Sequence, residues 1–326
     1  MAINSLTKFL ILCVVWGLTW IAVKYGISSV SPMVFAGTRF VTAGLILLGV
    51  AGFQRKLKRI GGKDAVRLAT AGLLMITLCY GPLFWGMQFI PSGTAAVLEM
   101  SLTPVSLLVF GIMLGEERWA LSLGVGMAIG IVGLCLLFSG QHDSQEFGWL
   151  GIAAVGWAAA SSALGSVIAR PSISSHGSMT VAASTMLFGG AVLLLSAFWL
   201  GADASELIPL NWTVAAVGGW LFLVVFGSLI GYSLYIQLVR DIGPARSGSF
   251  AFVSPVIAVA TGAAVAGEAV NLNNLTGMAF LLASAAICLY GPNMRTIVFS
   301  VLRRSERQTN LAESPQARSA ITKTPL

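Results

Sequence analysis

The chain is written almost wholly in apolar runs near twenty residues long, joined by turns too short to fold into anything else. In hydrocarbon every backbone N–H and C=O must find an internal partner, so such runs can only be helices. At ~1.5 Å rise per residue, twenty residues cross a ~30 Å hydrocarbon layer. Ten runs qualify: 9–27, 33–53, 68–89, 94–114, 120–139, 148–169, 178–200, 213–236, 247–266 and 275–292. Connections such as "SSVSP" (28–32) and "IPSG" (90–93) hold a turn and nothing more. Charged residues are 10% of the chain, against roughly 25% in soluble domains. No stretch is both polar and long enough for a soluble domain. The expected fold is an all-α polytopic membrane protein with ten transmembrane helices.

Charge sets the orientation. Of 19 Lys and Arg, Lys24 and Arg39 lie within spans, which leaves 17; with ten spans, all 17 fall on the side of the N-terminus. The opposite loops carry Asp143, Glu146, Asp203, Glu206 and Glu268, and no Lys or Arg. The positive-inside rule therefore puts both termini in the cytoplasm. The net charge of +7 is topology rather than a nucleic-acid footprint. The polar end of the chain, 293–326, has no apolar periodicity and reads as a disordered, basic cytoplasmic tail.

The sequence repeats itself. "LTPVSLLVFGIMLGEERW" (102–119) faces "VSPVIAVATGAAVAGEAVN" (253–271), so that Pro104 matches Pro255 and Glu117 matches Glu268. The "GMA" at 126–128 recurs at 277–279. Residues 1–139 and 140–292 then hold five spans each. An odd number makes the second half enter from the opposite side, as in the inverted repeats of many secondary transporters.

"WGLTWIAVK" (16–24), "SPMVFAGTRFVTAGLILL" (31–48), "GWAAASSALGSVIAR" (156–170) and the paired Pro-to-Glu segments carry a resemblance over nearly the whole chain short of the tail. In this order they are similar to the drug/metabolite transporter superfamily, in particular the EamA-type bacterial exporters. The resemblance implies two five-helix repeats around a central cavity in the bacterial inner membrane. It also implies export of amino acids or related small metabolites by alternating access. Uptake, a drug or cation substrate, and a passive channel are the competing functions. Glu99 stands outside the family's pattern.

Charge inside a span costs roughly 2.5–3.5 kcal/mol at the bilayer centre and marks function by default. Lys24 lies near the outer end of its span and either snorkels or lines a cavity. Arg39 and Glu99 lie at one depth, roughly 8–10 Å below the outer surface at ~1.5 Å per residue. They either pair statically or line a water-filled cavity, where Glu99 binds a substrate amine or carries a coupling proton. Glu99, Thr103 and Ser106 follow i, i+4, i+7, a polar stripe on one face. Pro104 and Pro255 are candidate hinges, since each removes a helical donor at a corresponding place.

Trp16, Trp20, Tyr80, Trp157 and Tyr232 are aromatic candidates for the cavity wall. Trp119, Trp149, Trp199 and Trp212 sit at span ends and fit the headgroup belt. The Gly111/Gly115, Gly126/Gly130 and Gly227/Gly231 pairs suit close helix packing, within a monomer or across a homodimer. Cys13, Cys79, Cys135 and Cys288 have no metal or disulfide spacing. The two histidines, His142 and His176, fall in loops on opposite sides. No HExxH or Walker A sequence occurs. Neither a metal nor a cofactor is implied, and an enzyme is disfavoured. The expected partners are a small-molecule substrate, the coupling proton and the lipid bilayer.

Overall fold

The structure, a computed structural model, describes residues 4–26, 29–55, 59–90, 92–137, 148–266 and 271–290. Within them the side chains at 20, 21, 24, 25, 92, 93, 210, 262, 265 and 266 are left out. The expected tail, 293–326, lies outside the described residues, as do Asp143, Glu146 and Glu268.

Among the described residues the secondary structure is helical throughout, with no strand. In chain order the helices are α1 (Ser5–Gly26), α2 (Pro32–Phe53), α3 (Gly62–Gly86), α4 (Ser92–Met113) and α5 (Leu121–Leu137). Then follow α6 (Trp149–His176), α7 (Ser178–Trp199), α8 (Val214–Ile242), α9 (Phe250–Ala266) and α10 (Leu272–Tyr290). Seven of these are long and apolar enough to cross a membrane. Two shorter apolar helical stretches, Ser5–Thr19 and Leu121–Leu137, lie in α1 and α5.

Local sequence explains the helix starts. Ser31 accepts the Val34 N–H at 3.4 Å, and Pro32 opens α2 where a missing N–H costs nothing. Gly177 and Gly243 adopt φ of +85° and +91°. That left-handed backbone, strained for other residues, turns the chain sharply before α7 and before the short helix Pro244–Gly248.

Three segments depart from sequence expectation. α6 runs through Pro171 to His176, past the expected end at 169. Arg170 anchors this extension by donating from Nε to the Val239 carbonyl (3.0 Å) and from Nη1 to the Glu116 carboxylate (3.0 Å). His176 is therefore a buried helix residue rather than a loop residue, 3.7 Å from Asp64 on α3. α8 continues to Ile242 instead of stopping at 236, because Leu223–Tyr232 is a π-helical stretch. Its wider turns advance less per residue. A shorter π-helical turn, Leu73–Thr77, interrupts α3.

Helix neighbours follow a pattern. α1 packs on α8 and α9, while α6 packs on α3 and α4. α2 packs along α7, and α5 lies against α10. Small residues make these approaches possible. Gly37 and Gly44 of α2 lie under Leu194 and Leu187 of α7, and Gly190 of α7 lies under Phe40. Gly126 and Gly130 face Cys288, Ser284 and Phe252, and Gly231 faces Trp16. These glycine positions are thus filled from within the chain.

One such backbone approach joins α5 to α10. A Cβ on Gly277 would lie 2.7 Å from the Leu137 nitrogen and 2.8 Å from the Gly133 carbonyl oxygen, both backbone atoms that cannot swing aside. Gly277→Ala should therefore lower the thermal unfolding midpoint in detergent, at an overpacking cost of ~1–3 kcal/mol. Gly218→Ala, with nothing among the described residues within 4 Å of its Cβ, should not. Equal midpoints for the two variants would contradict this packing.

Candidate functional site

A cavity of ≈ 200 Å³ lies inside the bundle, walled by α1, α2, α3, α4, α6, α8 and α9. It runs from mid-bundle, at Met75 and Ser254, toward the end where α1 and α3 finish and α2 and α4 begin. Val23, Phe35, Met87 and Ala96 line that end.

Six of the sequence candidates meet here: Trp16, Arg39, Tyr80, Glu99, Thr103 and Tyr232. Arg39 comes from the first half of α2 and is 8% exposed. Its guanidinium carbon stands 4.2 Å from the centroid of the Phe40 ring and 5.6 Å from that of Tyr80. Such cation–π contacts hold a desolvated cation where no anion does. Nη2 donates to the Tyr80 hydroxyl at 3.4 Å, a long bond, and the buried Nε has no hydrogen-bond partner among the described residues.

Glu99 lines the same cavity from α4. Among the described residues no ion pair joins Arg39 to Glu99. The static pair, one of the two arrangements compatible with the sequence, is not formed. Two opposite charges instead face one space separately.

The polar stripe on α4 enters in part. Glu99 and Thr103 line the cavity, and Ser106 does not. Neither proline breaks its helix: α4 runs unbroken through Pro104 and α9 through Pro255. What each does is free the carbonyl four residues earlier. Those residues are Met100 and Ala251, and both line the cavity. The Thr103 and Ser254 hydroxyls, buried beside them, also have no partner among the described residues. The wall thus offers unengaged hydrogen-bonding groups from two matching places.

On the far wall Tyr232 shares a hydrogen bond with Thr185 of α7 at 3.0 Å, and its hydroxyl lies 3.5 Å from the Met75 sulfur. Tyr235 donates to Ser166 at 2.9 Å. Trp16, Tyr235 and Phe250 form an aromatic floor, with ring centroids 4.5–5.8 Å apart.

Some expectations end elsewhere. Trp157 lies on the outer face, 56% exposed. α6 turns its small residues Ala154, Ala158 and Ser161 inward to meet its neighbours, which leaves the indole outside. The side chains of Trp20 and Lys24 lie outside the described residues. Trp119, Trp149 and Trp199 are exposed at helix ends, as a headgroup belt requires. Trp212 is not: it is buried against Phe35 and Trp220 and donates to the Glu206 carbonyl at 2.8 Å.

Sequence reasoning missed Thr19, Met75, Cys79, Ser162 and Phe250 in the wall. Thr19 and Val23 follow Trp16 at i+3 and i+7, a spacing that could have found them. Met75 and Cys79 were hidden by the π-helical turn, which rotates the rest of α3 relative to a regular helix.

The bundle's other end is tied by polar contacts. Lys8 pairs with Asp241 at 2.7 Å, and Arg170 with Glu116 at 3.0 Å. Glu117 accepts from the Ala245 N–H at 3.4 Å. Each tie joins a residue before 140 to one after it. Glu116 and Glu117, at the turn after α4, thus fasten distant segments.

Apolar spans around a cavity that holds buried charge are the makings of a membrane transporter. The EamA-like transporter family matches residues 5–139 and again 149–290. The chain belongs to that family. An uncharacterized inner membrane transporter of Escherichia coli (strain K12), YedA, is 32% identical over 268 residues, covering 80% of this chain and 82% of that protein. A probable amino-acid metabolite efflux pump of Salmonella typhimurium is 24% identical, covering 88% of this chain and 95% of that one. A solved crystal structure shares the fold with a TM-score of 0.70 at 17% identity, covering 87% of this chain and 95% of its own.

The isolation of Arg39 has a consequence for stability. Removing a buried charge that lacks a counter-ion relieves its desolvation cost. Arg39→Met should unfold at the wild-type temperature or higher while losing transport. A loss of ~3 kcal/mol or more, the size expected on breaking a buried pair, would instead make Arg39 a structural residue.

Proposed function

We propose that this protein is a secondary transporter that exports amino acids or related small metabolites across the bacterial inner membrane. It does so by alternating access between two inverted five-helix repeats, with ten spans and both termini cytoplasmic. The observation that carries the substrate class is the separation of Arg39 and Glu99 in one cavity. A zwitterion supplies a carboxylate to the first and an ammonium to the second. Neither wall charge needs the other once such a molecule is bound. The apolar and aromatic remainder of the wall suits its side chain.

The inverted repeat has its own support. If each helix is exchanged for the one five later, α1 on α8 and α9 becomes α6 on α3 and α4. The α2–α7 and α5–α10 pairs map onto themselves. The π-helical stretches of α3 and α8 and the prolines of α4 and α9 fall at matching places. The family matches each half separately. Two halves with interchangeable contacts have two related arrangements of similar energy, the condition for rocking about a fixed site. The 17-to-0 charge asymmetry supports the orientation. Export follows the name of the Salmonella relative, a probable amino-acid metabolite efflux pump, and the family resemblance.

In this reading Glu99 receives either the substrate ammonium or a coupling proton. Efflux of radiolabelled amino acids from preloaded vesicles, with and without a pH gradient, separates the two. Glu99→Gln should abolish movement of the labelled substrate at unchanged expression. If wild-type efflux rises with an imposed gradient, the carboxylate carries the proton. If it does not, the carboxylate is a ligand alone. Undiminished, gradient-dependent efflux by Glu99→Gln would remove Glu99 from both roles.

A further inference from the structure

Gly227 and Gly231, a spacing usually read as a seam between two helices, here receive a side chain. The indole of Trp16 lies across α8 at this point. A Cβ on Gly231 would sit 2.5 Å from Trp16 Nε1, so only glycine leaves room for the ring. Trp16 Nε1 donates to the Gly227 carbonyl at 3.1 Å. Gly227 is inside the π-helical stretch Leu223–Tyr232, where the backbone ladder departs from the regular i→i+4 pattern and a carbonyl has capacity for a second donor. The ring also lines the cavity and touches Tyr235 of α8 and Phe250 of α9, at centroid distances of 5.4 and 4.5 Å. One side chain therefore touches the cavity, two helices of the second half and a backbone carbonyl within a stretch built to change register.

The other half has a counterpart. Ser161 of α6 donates to the Leu74 carbonyl at 2.9 Å, and Leu74 lies in the π-helical turn of α3. Each π-helical stretch is thus held by a side-chain donor from the helix that packs on it. Only the Trp16 donor also lines the cavity.

We propose that Trp16 is the positioning residue that couples cavity occupancy to α8. Its N–H holds the π-helical stretch in the present arrangement, and an occupant that shifts the indole releases that carbonyl and favours the alternative one. The proposal rests on the alternating-access reading above. It adds the residue that sets the balance between the two arrangements, which a ligand can shift only through a contact that differs between them.

The test needs no known substrate. The full chain carries Ser254→Cys, a reporter at mid-bundle on the cavity wall, with Cys13, Cys79, Cys135 and Cys288 replaced by Ala. A membrane-impermeant sulfonated maleimide labels it in right-side-out and in inverted vesicles. With Trp16 present, labelling is expected from both faces. Trp16→Phe keeps an aromatic ring and loses the donor. It should change the ratio of the two labelling rates by about fivefold, the bias one hydrogen bond gives a two-state equilibrium. Gly231→Ala, which evicts the indole nitrogen by another route, should move the ratio in the same direction. An unchanged ratio in both variants, with labelling from both faces, overturns the role of Trp16 and leaves the transporter reading standing. Labelling from one face alone with Trp16 intact overturns both.

Discussion

The arrangement depends on a guanidinium that has no anion beside it among the described residues. Arg39 is buried in the first half of α2, held by the faces of Phe40 and Tyr80 and one long hydrogen bond. In a bilayer such a group is tolerated only where it faces protein or a polar cavity. The obvious partner, Glu99, lies on the same cavity wall and leaves it alone. A chain selected only for stability would pair them or replace them with packed apolar residues. Keeping both charges apart in one cavity makes sense if a third body completes the circuit. That requirement fixes much else: the aromatic cage behind Arg39, the unengaged hydroxyls of Thr103 and Ser254, and the two carbonyls freed by Pro104 and Pro255.

A cavity in a bundle this apolar needs tight packing elsewhere. The lipid-facing surfaces supply no hydrophobic drive between helices, so association rests on close backbone approach and buried hydrogen bonds. Glycines at the α2–α7 and α5–α10 crossings supply the first. Hydroxyl-to-carbonyl bonds such as Thr77 to Gly189 and Ser284 to Gly126 supply the second. At the end away from the cavity's reach, the Lys8–Asp241 and Arg170–Glu116 pairs add ties between the halves. These are the contacts that any rocking of one half against the other has to break.

The helices were legible because their length is imposed by the bilayer, and most apolar runs reappear as helices within a few residues. The ends of α6 and α8 were not, because they depend on Arg170 reaching two other helices and on a π-helical stretch that no hydropathy pattern encodes. For the site, charge was the reliable signal. Arg39 and Glu99 stand out in apolar runs because each violates the composition around it, and both line the cavity. Aromatics were a poorer guide, since Trp packs in a core, anchors at a headgroup or lines a wall with the same sequence signature. Trp16 lines the wall, Trp157 faces outward and Trp212 is buried. The Gly227/Gly231 spacing announced a close approach but not that the visitor was an indole.

The most direct test of two separate charges serving one zwitterion is binding of a transported amino acid, its methyl ester and its N-acetyl derivative. The ester lacks the carboxylate and the acetylated form lacks the ammonium. Each would be measured against wild type, Arg39→Met and Glu99→Gln. The account predicts that Arg39→Met stops distinguishing the amino acid from its ester yet still rejects the N-acetyl form. Glu99→Gln should do the reverse. If either variant loses both discriminations together, or neither, then the two charges do not read opposite ends of one molecule.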